Sequence, residues 1–239
     1  MTTLRLACHV HSDWSYDGKW KLESIARLFG SLGYDGVLMA EHDRGFTEER
    51  WAAYREACAS THGRGALLVP GVEYSDAENV IHVPVWGDVP FLGEGLPTGE
   101  MLSRAAELRA SAVFAHPARR NAAERFDPDW GRHLLGVEWW NRKYDGYAPG
   151  PDTGRALASH GAVPFASMDF HTSRQLAPLV MVVESEKGLS VEGVFEALSA
   201  RRCRPELLGM SALRFTQGRG NRALRAVERT RRFVARRLH

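Results

Sequence analysis

Histidines and acidic residues recur in this chain at one kind of place, the end of a short apolar run with strand character. His9-Val10-His11 closes the run Leu4 to Val10, and Glu41-His42-Asp43 follows Gly36 to Ala40. Glu73 follows Ala66 to Val72, His82 lies within Val80 to Trp86, His116 follows Ala112 to Ala115, and Asp169-Phe170-His171 follows Ala162 to Ser167. Gly136 to Trp140 and Leu179 to Glu184 read as further strands. Between the strands lie segments with helical spacing: Leu22 to Leu32, stopped by Gly33; Phe46 to Ala59, with Thr47 as cap; Thr98 to Ala110, with Thr98 as N-cap; Thr153 to Ser159; and Val191 to Arg201. Such βα alternation predicts a parallel sheet covered by helices. Polar side chains at successive strand ends are what a barrel active site needs, because the loops converge there.

The chain has 239 residues, 44% of them hydrophobic and 25% charged, which suits one compact domain with a substantial core. No apolar run is long enough to span a bilayer, and Met1 to Leu6 carries no signal-peptide pattern. Cys8, Cys58 and Cys203 are too scattered for a disulfide framework or a CxxC pair, so a cytoplasmic protein is expected. The net charge of +2 conceals an asymmetry. From Arg214 onward there are nine arginines against the single acid Glu228, a surplus of eight that leaves the preceding body six charges negative. Residues 1–213 are therefore expected as the folded domain and 214–239 as a basic amphipathic helix, with Leu224, Val227, Val234 and Leu238 on one stripe. Docking on the domain with a solvated arginine face, contact with nucleic acid and contact with an anionic membrane all suit such a helix.

Each cluster has an ordinary alternative. His9 and His11 share one face of a strand and can reach one metal, or can be a polar pair at a strand end. Asp43 can cap the next helix, Glu73 can be a solvated carboxylate, and His116 can be a core histidine. All of them together, each at the end of a separate strand, point instead to a site for two or three divalent ions.

The set His9-Val10-His11-Ser12 with Asp17-Gly18, Ala40-Glu41-His42-Asp43, Gly71-Val72-Glu73-Tyr74-Ser75, Ile81-His82-Val83, Ala115-His116-Pro117 and Ser167-Met168-Asp169-Phe170-His171 resembles the polymerase and histidinol phosphatase (PHP) domain family over residues 4–172. The resemblance implies an α/β fold, a distorted seven-stranded (β/α)7 TIM-like barrel in a single domain, here followed by the basic C-terminal helix. It also implies up to three divalent ions (Zn, Mn or Fe). His9, His11, Glu73 and Asp169 would hold the first. Glu73 would bridge to a second, completed by His82 and His116, and Asp17, His42 and His171 would hold the third. The implied activity is hydrolysis of a phosphomonoester or phosphodiester by a metal-bridged hydroxide. Glu41 stands where the family more often has Asp, Pro84 interrupts the His82 strand, and Ala118-Arg119-Arg120 continues the His116 motif; all nine ligand positions are retained.

Phosphate recognition calls for guanidinium donors. Arg119 and Arg174 lie beside proposed ligands and are favoured over Arg44 and Arg120, the alternative for each being an ordinary surface arginine. Asp43 is either the acid for the leaving group or an orienter of His42. Trp14, Tyr16, Trp20, Trp139, Trp140 and Tyr144 can stack on a base or simply pack. The expected partner is a phosphorylated small molecule or nucleotide, with nucleic acid a further candidate through the Arg-rich tail. Histidinol phosphate is the rival substrate, and a non-catalytic metal-stabilised binding module is the rival of another class. An amidohydrolase is disfavoured because no lysine lies among the motifs.

Overall fold

The computed structural model describes residues 1–150 and 161–237. The expected helix at Thr153 to Ser159 and the terminal Leu238 lie outside the described residues. The first strands are β1 (Thr2–Val10), β2 (Gly36–Met39), β3 (Glu41–His42), β4 (Leu67–Val69), β5 (Val72–Ser75) and β6 (His82–Trp86). They are followed by β7 (Ser111–Phe114), β8 (Gly136–Asn141), β9 (Val163–Ser167), β10 (Leu179–Ser185), β11 (Cys203–Leu207) and β12 (Met210–Ser211). The helices are α1 (Leu22–Ser31), α2 (Glu48–Ser60), α3 (Thr98–Glu107), the single turn α4 (Arg142–Asp145), α5 (Val191–Ser199) and α6 (Gly218–Arg237).

These strands form two six-stranded sheets, ordered β12-β11-β10-β1-β2-β4 and β3-β5-β6-β7-β8-β9. The expectation of a parallel sheet holds for β1–β2, β2–β4, β3–β5, β7–β8 and β8–β9. It fails for β5–β6, β6–β7, β1–β10, β10–β11 and β11–β12, which are antiparallel. Between β5 and β6 the reason is the short connection. Asp76 Oδ1 accepts from the Val80 and Ile81 N–H groups, and Asn79 takes a left-handed φ of 54°, so the chain turns straight back. The expected strand Ala66 to Val72 is broken at Pro70-Gly71 into β4 and β5. No closed barrel ladder is formed among the described residues. Where the first sheet meets the end of β9, the Met168 and Phe170 N–H groups donate to the Cys8 and His9 carbonyls, and the His11 N–H donates to Phe170 O at 2.9 Å.

Strand alternation sorts the core. Leu4, Leu6 and Cys8 of β1 join Leu38, Val69, Trp86, Val113 and Phe165 in one cluster, sealed at one end by Val194, Ala197 and Leu198 of α5. Ala7 and Val10 point the other way, into the cluster formed with the helices. There α1 buries Leu22, Ile25, Ala26 and Phe29, the i, i+3, i+4, i+7 stripe read from the sequence. Burial of each large member stabilises the fold by roughly 1.5–3 kcal/mol. Thr47 caps α2, accepting from the Arg50 N–H at 3.2 Å, as expected. Thr98 does not cap α3; it is the first helical residue, with Pro97 at the cap position.

Candidate metal centre

Three of the expected ligands sit on backbone that side chains rarely adopt. His9, His116 and Asp169 have φ of 62°, 30° and 49°. Left-handed conformations of this kind cost on the order of 1–3 kcal/mol each and persist where the surroundings fix them. At His9 the β1–β2 register slips between Cys8 and Val10. His9 and His11 therefore do not converge by simple alternation. A bulge turns His9 inward, and the two rings end 5.0 Å apart.

The fully buried Glu73 carboxylate is the centre of the cluster. Its Oε1 lies 3.1 Å from His9 Nε2, 3.0 Å from His82 Nδ1 and 3.1 Å from His116 Nε2. Its Oε2 lies 3.0 Å from His42 Nδ1 and 3.6 Å from His11 Nε2. Asp169 faces His11, His116 and His171 at 3.7, 4.0 and 3.3 Å. Asp17 spans His42 Nε2 at 3.3 Å and His171 Nε2 at 3.1 Å. All nine expected ligands are thus brought to one place. Their ligand atoms fall into four overlapping groups: His11–Asp17–His42–His171, His9–Glu73–His116, His9–His11–Asp169 and His42–Glu73–His82.

The residues fit divalent ions on two grounds. His9 Nε2, His11 Nε2, His82 Nδ1 and Asp17 Oδ1 are buried within this cluster and complete no hydrogen bond, despite close neighbours. The mixed imidazole and carboxylate donor set suits Zn, Mn or Fe. Without ions the charges are balanced internally. Burial works against ionised Glu73, but the imidazoles of His82 and His9 hold its carboxyl well below the ordinary range. Burial also opposes a charged His9, yet Glu73, Glu138 and Asp169 push its pKa above the ordinary value. For His11 and His82 burial prevails and lowers the pKa, which favours the neutral imidazole that a metal needs.

A surrounding layer fixes the rings. Glu138, fully buried at the middle of β8, takes His9 Nδ1 at 2.7 Å and accepts from the His116 N–H and Asn141 Nδ2 at 2.8 Å each. With Nδ1 held by Glu138, Nε2 is the nitrogen that faces the cluster and would give its lone pair to an ion in place of a proton. Asn79 Oδ1 at 2.5 Å from His82 Nε2 does the same for that ring, leaving Nδ1 inward. Glu41 is buried and accepts from the Ser12 and Ser15 hydroxyls at 2.6 and 2.5 Å. It anchors the turn that follows His11. Glu138 escaped the sequence reading, although an acid inside the apolar run Gly-Val-Glu-Trp-Trp was a signal for it.

Lys143 had no such signal. From α4 its Nζ reaches Asp169 Oδ1 at 3.1 Å and His171 Nδ1 at 3.4 Å, so the expectation of a site without lysine is corrected by tertiary contact. Arg119 does reach the site. It lines a cavity of about 100 Å³ with Asp17, Glu73, His116 and Asp169, and its Nε donates to the Tyr144 hydroxyl at 3.1 Å. Arg174 does not: it is exposed, and its hydrogen bonds are made by its backbone, the N–H donating to the Thr172 hydroxyl and the carbonyl accepting from Arg142. Asp43 is buried beside the ligands, accepts weakly from the Ser75 and Gly95 N–H groups, and is pushed up to about 6 by burial. It opens on a second cavity of about 340 Å³ with Tyr16 and Arg44. Among the aromatics, Tyr16 stacks on His42 at 4.8 Å and Tyr144 packs on His116 at 4.9 Å. Trp14, Trp20, Trp139 and Trp140 pack in or against the core.

No family model matches the chain, and no curated protein matches it. Solved structures do. A two-domain protein from Bacteroides vulgatus containing a predicted PHP-like metal-dependent phosphoesterase aligns at a TM-score of 0.64 and 20% identity, over 86% of this chain and 65% of that one. PsfC from Pseudomonas syringae aligns at 0.65 and 16% identity, over 95% of this chain and 100% of its own. The lesion-specific endonuclease PfuEndoQ from Pyrococcus furiosus aligns at 0.54 and 13% identity, over 83% of this chain and 56% of its own. The chain thus spans slightly under two thirds of the Bacteroides protein and little more than half of the endonuclease. What is shared at these identities is the fold.

Proposed function

We propose that this chain is a PHP-type metal-dependent phosphoesterase, with a nucleotide or oligonucleotide as its substrate type. The observation that carries the reading is the convergence of nine ligand-type side chains around the buried Glu73, with several of their donor atoms left without hydrogen bonds. His9, His11, Glu73 and Asp169 would hold one ion, Glu73, His82 and His116 a second, and Asp17, His42 and His171 a third. His11 also lies within reach of the last group. Bound divalent ions supply an acidified water near neutral pH and neutralise charge on phosphoryl oxygens.

The protein's own groups supply the rest. Glu138 and Asn79 hold His9 and His82 with Nε2 and Nδ1, respectively, turned inward. Arg119 and Lys143 line the same small cavity as cations, placed to hold non-bridging phosphate oxygens. Asp43, with its raised pKa and its place beside His42, is the acid we assign to the leaving group. Arg174 is left without a role at the centre. Lys143 does not revive an amidohydrolase reading, since its ammonium is paired with Asp169 rather than free for carboxylation.

We also read the two sheets as one distorted seven-stranded barrel. Ala40 alone separates β2 from β3, Pro70-Gly71 separates β4 from β5, and hydrogen bonds join residues 168–170 to β1. Residues 1–213 would carry the chemistry, with 214–239 accessory. No helix among the described residues is long and apolar enough to cross a membrane, and the three free thiols suit the cytoplasm. The test is hydrolysis of an aryl phosphate and an aryl phosphodiester with added Mn or Zn. The wild type turns over at least one, while Asp169→Asn and His11→Ala lose at least a hundredfold. Variants with wild-type turnover refute the reading.

A further inference from the structure

The basic helix α6 is docked beside the metal centre. Leu224 packs against the apolar cluster that contains Trp140, Leu179 and Leu207, and Asn221 Nδ2 donates to the Phe215 carbonyl at 2.8 Å. Glu228, 6% exposed, accepts from the Tyr147 N–H at 3.1 Å and pairs with Arg231 and Arg232 at 2.7 and 2.6 Å. This seating brings Arg225, Arg229 and Arg232 to the wall of a cavity of about 370 Å³. Its lining also includes Ala118 and Tyr144, and Tyr144 lines the small cavity of the candidate metal centre as well. Arg119, the neighbour of Ala118, holds the Tyr144 hydroxyl.

The charges along this wall are not all spent. Glu228 is engaged by Arg231, Arg232 and a backbone N–H. Asp145, the other acid of the cavity, is turned to the Asn141 N–H at 2.8 Å. Arg225 is tethered by Asn221 Oδ1 at 2.7 Å and by the Pro149 carbonyl. The Arg229 guanidinium has no hydrogen bond or ion pair among the described residues, although it lines the cavity. A cationic wall next to a half-buried aromatic ring is the arrangement that tracks a single-stranded nucleic acid backbone while a base stacks.

We propose that this cavity is a second phosphate subsite, centred on Arg229. The substrate is then a single nucleic acid strand, lying from the metal centre across Tyr144 onto α6. This rests on the phosphoesterase reading and deepens it, because a lone phosphate needs only the metal centre whereas this cavity takes the next one along the strand. The subsite is tested without catalysis, by the anisotropy of a fluorescent single-stranded DNA titrated with the full chain in EDTA at several salt concentrations. A single-strand phosphate contact contributes about 0.7 to the slope of log K against log salt, which is about fivefold in affinity at 0.1 M salt. Arg229→Ala is expected to lose that factor and that slope. Arg229→Lys should keep the slope, and Arg27→Ala on α1 should match the wild type. Hydrolysis of an aryl phosphate by Arg229→Ala should stay within about twofold of wild type. Wild-type affinity and slope in Arg229→Ala overturn the proposal. So does a wild type that ignores DNA and binds phosphatidylserine vesicles instead, which would make α6 a membrane contact. Arg229-dependent DNA binding by a protein that hydrolyses no phosphate ester would sustain the subsite and sink the phosphoesterase reading alone.

Discussion

Glu138 offers the sharpest test of how the centre is held. Its carboxylate is fully buried and serves three donors: His9 Nδ1 at 2.7 Å, the His116 N–H at 2.8 Å and Asn141 Nδ2 at 2.8 Å. Glu138→Gln preserves shape but replaces one acceptor oxygen by an amine. Facing three donors with one oxygen, the amide leaves at least one buried donor unmet, at a cost of about 1–3 kcal/mol. If the unmet donor is His9 Nδ1–H, the ring is released to turn or to move its proton to Nε2, the atom facing Glu73. Loss of an orienting partner of this kind costs about 10–100-fold in metal affinity. Removing the charge also takes away one of the three carboxylates that raise the His9 pKa, leaving Glu73 and Asp169, so metal-free protein should lose about 1–3 kcal/mol. The assays are Mn or Zn affinity by chelator competition and thermal unfolding in EDTA. Glu138→Ala, with all three donors orphaned, should be worse in both. Wild-type metal affinity in Glu138→Gln would refute the account of His9 orientation, even if stability falls.

Further outcomes follow from other parts of the molecule. Gly71→Ala places a Cβ into the Trp86 indole and within 2.5 Å of the Met39 carbonyl, so unfolding in urea should show a loss of about 1–3 kcal/mol. Phe29→Ala, which empties a fully buried site under α1, should cost about 3–5 kcal/mol in the same measurement. Burial works against an ionised Glu228, but hydrogen bonds from Arg231 and Arg232 hold it near 2. A lowered folded pKa means stability that is present above the unfolded value near 4.5 and lost as the pH falls toward 2. Glu228→Gln should therefore be about 1–2 kcal/mol less stable at pH 7 and lose less on acidification, read by unfolding at pH 7, 4 and 3. Truncation after Leu213 should lower the Tm by exposing Trp140 and Leu179 while leaving aryl phosphate turnover nearly unchanged; an inactive but folded fragment would count against an accessory tail.

The sequence alone determined most of the side chains that converge on Glu73, because those residues sit at the ends of apolar runs that become strands, and a strand end fixes where a side chain emerges. The apolar stripe of α1 was legible for the same reason: local periodicity sets which face is buried. Other features depend on partners far away in the chain. The bulge that turns His9 inward is a register slip against β2, visible only once β1 and β2 are paired. Lys143 reaches Asp169 across 26 positions, and Glu138 reaches His9 across 129, so neither role follows from neighbours in sequence. Arg119 and Arg174 looked equivalent beside their motifs; tertiary structure put the first in the cavity and left the second in solvent. The tail likewise showed its charge and its stripe in sequence, but only its seat on the domain placed Arg229 in one cavity with Tyr144, which also lines the cavity of the buried histidine and carboxylate cluster. Local pattern specifies what a side chain can do, and long-range pairing decides what it is near.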